Sequence, residues 1–67
     1  MSKRLQALEE IKAHICVARD NLEEAAKLME DTAELPATEY GVKKAIGDLA
    51  CLISRMEIHI NTYRSGS

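Results

Sequence analysis

The chain has 67 residues, nine of them basic and eleven acidic, for a formal charge of −2. That length holds one domain with a marginal core, and the charge balance gives no electrostatic drive toward nucleic acid or anionic membrane. Apolar residues make up 46% with no Trp, no Phe and two Tyr, so a core must come from Leu, Ile, Val, Met and Ala, the composition of interlocking helices.

The opening Met1-Ser-Lys-Arg-Leu-Gln has no apolar run behind its basic pair and does not read as a signal peptide. The longest uncharged apolar stretch, Leu49 to Ile53, is too short to cross a bilayer. A cytoplasmic protein is expected.

The first helix is expected from about Lys3 to about Asp31, uninterrupted by Gly or Pro, with Ser2 able to cap its start. Leu8, Ile11, Ile15, Ala18, Leu22, Ala25 and Met29 recur at alternating steps of three and four, which places them on one face. Leu5 and Ala26 widen that stripe. The opposite face carries mixed charge, including Glu9, Lys12, Arg19, Glu23, Lys27 and Glu30, and Glu23 stands one turn from Lys27.

A break is expected over about 32–37. Pro36 cannot donate inside a helix and pushes Leu35 out of the α region. So short a connection folds the next helix back antiparallel on the first. The second helix, opened by Pro36 or Thr38, is expected to run from about 38 to about 64. Val42, Ile46, Leu49, Ile53, Met56, Ile60 and Tyr63 again alternate by four and three, with Ala45 and Leu52 alongside, a heptad-like seam. Residues 65–67 are expected as a flexible tail. The predicted fold is all-α: an antiparallel two-helix hairpin, one domain over 1–64, suited to completing a larger bundle with a partner or a second copy.

The second helix carries another surface. Roughly opposite its seam lie Tyr40, Gly47, Cys51, Ser54 and Ile58, mostly small residues between an aromatic and a bare Ile. A Gly inside a helix costs about 1 kcal/mol relative to Ala, and scattered exposed apolar side chains are ordinary. A contiguous stripe, however, marks an interaction site, so these five are the expected partner-binding residues. The first helix has a weaker flank of Ala13, Val17 and Leu28.

Other residue types point to no chemistry. Cys16 and Cys51 would lie at similar heights but face away from their seams, and two free thiols are expected. His14 and Cys16, two apart on a helix, face different directions, whereas structural zinc needs four convergent ligands. Cys51 has Gly47 and Arg55 one turn away and no base. The pairs Glu9-Glu10 and Glu23-Glu24 sit on a solvated face, a poor setting for acid–base work. No catalytic, metal or cofactor site is expected. Lys3, Arg4 and Arg64 at one end and Lys43-Lys44 near the other make a thin nucleic-acid footprint.

The break Glu34-Leu-Pro-Ala-Thr-Glu-Tyr40 and the aliphatic run from Leu49 to Tyr63 resemble the small helical-hairpin co-chaperones of type III secretion needle subunits, the YscE and PscE type. The resemblance implies a cytoplasmic heterodimer with a larger helical chaperone that keeps the needle subunit unpolymerised. It carries over no individual functional residue. The outline is also similar to Rop-type hairpins, which dimerise into four-helix bundles and bind paired RNA, and a small phage- or plasmid-borne inhibitor of a host protein would need the same features. The sequence therefore predicts a non-enzymatic protein-binding module, a co-chaperone or adaptor, that associates with a larger helical protein or with itself.

Overall fold

A computed structural model describes residues 3–66. The long run without Gly or Pro forms α1, Lys3–Thr32, and the run after Pro36 forms α2, Pro36–Gly66. They pack antiparallel as an all-α hairpin of 50 × 15 × 11 Å. The predicted Ser2 cap and the terminal Ser67 lie outside the described residues.

The helix ends differ from the expected ones for local reasons. α1 extends through Thr32, whose hydroxyl donates to the Met29 carbonyl at 3.2 Å. The Ala33 N–H donates to the same carbonyl at 2.9 Å, and Ala33 closes the helix in the left-handed region with φ 55°. Glycine normally fills that position because a Cβ is strained there. The Leu35 carbonyl then accepts the Glu39 N–H at 2.8 Å. Leu35 is therefore the N-cap residue and Pro36 the first helical position, where a missing N–H costs nothing. The connection shrinks from the expected six residues to Ala33, Glu34 and Leu35. At the far end Ser65 and Gly66 are helical instead of a loose tail, and the Arg64 side chain ties the last turn of α2 to Glu9 of α1.

The seam of α2 matches the periodic pattern. Ile53 and Ile60 are buried, and Val42, Ala45, Ile46, Leu49, Met56 and Tyr63 are half-buried. Leu52, expected alongside, is instead 42% exposed. In α1 the seam is turned by roughly 50°, half the rotation per residue. Its members are Leu5, Leu8, Lys12, Ile15, Arg19, Leu22, Ala26 and Met29, all half-buried except Ala26, which is buried. Ile11 is 48% exposed and Ala18 is exposed, although apolar spacing assigns both to the core. Lys12 and Arg19, assigned to the solvated face, take their places.

Side-chain length explains the exchange. The alkyl stems of Lys12 and Arg19 cover the seam while their charged heads leave it. Lys12 reaches Glu57 across the hairpin at 3.9 Å, and Arg19 reaches Asp20 at 3.3 Å and Glu23 at 3.9 Å. Glu23 thus lies by Arg19 rather than completing its pair with Lys27. The rotation also sets Glu9 and Glu30 beside Arg64 and Lys43. Arg19 nonetheless keeps its Nε buried without a hydrogen-bond partner, the characteristic cost of a polar group at a core heptad position.

Two stability changes follow. Ala33→Gly relieves the left-handed strain and should raise stability by up to about 1 kcal/mol. Arg19→Leu removes the N–H that lacks a hydrogen bond and adds an apolar seam side chain, for a gain of about 1 kcal/mol. Thermal melts followed by circular dichroism read both. An unchanged or lower Tm for Ala33→Gly would mean that the turn does not hold this conformation in solution.

Candidate interaction surface

A two-helix hairpin is a slab one helix thick, and its two broad faces are set by the residues bordering the seam. In antiparallel packing, residues that follow the Leu8, Ile15, Leu22 and Met29 layers of α1 share a face with those that follow Val42, Leu49, Met56 and Tyr63 of α2. That face is charged: Glu9, Cys16, Glu23 and Glu30 meet Lys43, Ala50, Glu57 and Arg64. It holds three cross-helix ion pairs, Lys12–Glu57, Lys43–Glu30 and Arg64–Glu9. A cleft of about 470 Å³ opens here over Ile60 and Cys16. Its charged walls, Glu9, Lys12, Glu57 and Arg64, pair with one another and converge on no vacant point.

Lys43 is the electrostatic centre of this face. Its Nζ lies 2.8 Å from both Glu30 and Glu39. Hydrogen bonds to Glu30 and then Glu39 hold the ammonium above the usual lysine range, and the bond from Lys43 holds the Glu30 carboxyl below the usual carboxylate range.

The other broad face carries no ion pair on its central columns. Ile11, Ala18 and Ala25 of α1 lie beside Ala45 and Leu52 of α2, with His59 at one end. These positions hold no charged residue between Ile11 and Ala25 or between Ala45 and Leu52. Leu28 borders this face from α1 at 66% exposure. Sequence reasoning placed Ile11, Ala18 and Leu52 in or beside the core, so it missed this face. The available signal was that Leu5, Lys12, Arg19 and Ala26 continue the same four-three alternation with the shared leucines and Met29.

The stripe predicted to bind a partner points outward along α2. Tyr40 is 74% and Ile58 67% exposed, and Gly47, Cys51 and Ser54 are exposed between them. The five span about 27 Å of helix. A Cβ added at Gly47 would meet nothing within 4 Å, so packing within the hairpin does not require glycine there. Val17 is likewise exposed on the back of α1. Cys16 is half-buried and Cys51 exposed, both as free thiols, and His14 and His59 are exposed. Among the described residues, no three His, Cys, Asp or Glu side chains form a group able to hold a metal, and no helix is long and apolar enough to cross a membrane.

No known protein family, characterised protein or solved structure matches this chain.

The Lys43 cluster sets a pH dependence. The lowered Glu30 carboxyl stabilises the fold above the ordinary carboxylate range, and this is lost as pH falls through its lowered value. The raised Lys43 ammonium stabilises below the ordinary lysine range, and this is lost as pH rises through its raised value. Glu30→Gln should therefore lower the Tm slightly at neutral pH, since the pair is exposed. The gap to the wild type should close in acid, and also in about 1 M salt, where screening acts within roughly 3 Å. A gap that survives both conditions would assign Glu30 a packing role instead.

Proposed function

We propose that this chain is a non-enzymatic adaptor of the co-chaperone kind, which works in the cytoplasm by docking a helical face onto a protein partner. The observation that carries this reading is the distribution of apolar surface. Ala26, Ile53 and Ile60 are buried, whereas Ile11, Leu28, Tyr40, Leu52 and Ile58 stand between 42% and 74% exposed. Apolar surface left uncovered in so small a protein is surface for another chain.

The outer stripe of α2 is the proposed partner site. Tyr40 and Ile58 supply apolar anchors at its ends, and Gly47, Cys51 and Ser54 let a second helix approach closely between them. Docking a long, nearly straight helix along such a stripe is the helix-on-helix form of recognition. The resemblance to needle-subunit co-chaperones suggests a larger helical chaperone as the partner class. The Rop-like nucleic-acid reading has less support, because four of the nine basic residues, Lys12, Arg19, Lys43 and Arg64, already lie against carboxylates. An inhibitor of a host protein would use the same stripe on a different target.

The test is affinity purification from the source cells with four tagged chains: wild type, Gly47→Leu, Ile58→Asp and Lys27→Asp. A specific protein partner should copurify with the wild type and Lys27→Asp. Binding should fall at least about tenfold with Gly47→Leu and with Ile58→Asp, which places an unpaired charge in the interface. Ile58→Asp and Lys27→Asp should melt like the wild type, since both positions are exposed, and Gly47→Leu should melt no lower, because Leu is the better helix former. Equal capture by all four chains would remove the stripe from the function.

A further inference from the structure

We infer that the uncharged broad face, centred on Ile11, Ala18 and Leu52, is the contact between two copies of this chain, which stack face to face as an antiparallel four-helix bundle. This surface is distinct from the outer stripe and does not depend on that stripe having a partner.

The first argument is area. A compact chain of 7.4 kDa exposes roughly 4,200 Å², and this hairpin exposes 5177 Å². The excess, roughly 1,000 Å², is close to the roughly 800 Å² that each partner buries in a standard stable complex. Shape agrees. The radius of gyration is 15.4 Å, against about 11 Å for a compact domain of this length. Stacking a second slab on the first thickens the short dimension, which is the one that must grow.

The second argument is charge. The two broad faces differ sharply: three cross-helix ion pairs occupy one, and the central columns of the other hold Ile11, Ala18, Ala25, Ala45 and Leu52 with His59. Stacking on the uncharged face leaves every pair solvated, whereas stacking on the charged face would bury them at a desolvation cost. Alanines 18, 25 and 45 allow close approach, and Ile11, Leu28 and Leu52 supply the bulk between them, the alternation that interlocking helix layers need.

The third argument is the symmetry of the rim. A two-fold axis in the interface, perpendicular to the helices, sets α1 on α1 and α2 on α2 of the second copy, each antiparallel. If it crosses α2 between Cys51 and Leu52, Asp48 lies level with Arg55 of the second copy on the border of the apolar face. Within one chain these two are about 10 Å apart along the helix, too far to pair. The three cross-helix ion pairs set the register of the hairpin to within about two residues, so the same axis crosses α1 near Asp20. That brings Ile11 within about a turn of Leu28 of the second copy. One axis height thus serves the charged pair and sets these apolar side chains on a shared border.

Sedimentation equilibrium of the full chain at tens of micromolar tests the proposal, with circular dichroism on every sample. The wild type should have twice the monomer mass. Leu52→Asp should stay helical, its position being exposed within the hairpin, and weaken the dimer by at least about a hundredfold. Asp48→Arg should weaken it by about tenfold, and adding Arg55→Asp should restore it. Ile58→Asp should leave it intact. A monomeric wild type overturns the proposal, as does a dimer insensitive to Leu52→Asp, a double swap no better than the single one, or dissociation by Ile58→Asp alone. A monomer that still captures a partner through the outer stripe would fail this proposal and leave the adaptor reading standing.

Discussion

Each helix of this protein has one neighbour, and two cylinders in contact along a line can enclose only the side chains on that line. Everything else about the molecule follows from that limit. The helices are long, yet among the described residues only Ala26, Ile53 and Ile60 are buried and no large side chain is fully enclosed. A globular domain covers its helices on several sides. Here most seam residues stay half in water, so the hydrophobic contribution per residue is modest and stability depends on the length of the seam rather than its depth. A seam so shallow tolerates residues that a deeper core would reject. Lys12 and Arg19 can occupy core heptad positions because their charged heads need travel only a short distance to reach solvent and a carboxylate.

The same geometry explains why weak interactions have a large structural effect. An exposed ion pair contributes between zero and about 1 kcal/mol, and none of the pairs on the charged face is enclosed. Together with the long stems of Lys12 and Arg19, they favour an orientation of α1 that hydrophobicity alone would not choose. With one orientation Glu9, Lys12 and Glu30 meet Arg64, Glu57 and Lys43 across the hairpin. With the other, Glu9 and Glu30 turn toward solvent on the back of the slab. Selecting the first leaves Ile11 and Ala18 outside. The charged face and the apolar face are therefore one outcome, since pairing the charges on one side expels the surplus apolar residues to the other.

The connection reinforces this arrangement. Three residues reverse the chain, with Ala33 in a left-handed conformation and Leu35 capping α2 through its backbone carbonyl alone. Neither residue is the type that its position favours. A link this short restricts where α2 can start and so restricts the register of the whole seam, which the Lys43–Glu30 pair holds at the near end and Arg64–Glu9 at the far end.

Local physics in the sequence was sufficient for the two helices, the reversal at Pro36 and the seam of α2. In α2 a single four-three series of large apolar residues stands out, so periodicity has one solution. The outer stripe of Tyr40, Gly47, Cys51, Ser54 and Ile58 was legible for the same reason, because the face opposite an unambiguous seam is itself unambiguous. α1 is different. Leu8, Ile15, Leu22 and Met29 belong to two interleaved series, one completed by Ile11, Ala18 and Ala25, the other by Leu5, Lys12, Arg19 and Ala26. Hydrophobicity favours the first, but the structure adopts the second. The choice depends on which carboxylates and cations meet across the hairpin and on side-chain stems long enough to carry charge out of the seam, and those are properties of two helices in contact that neither helix possesses alone.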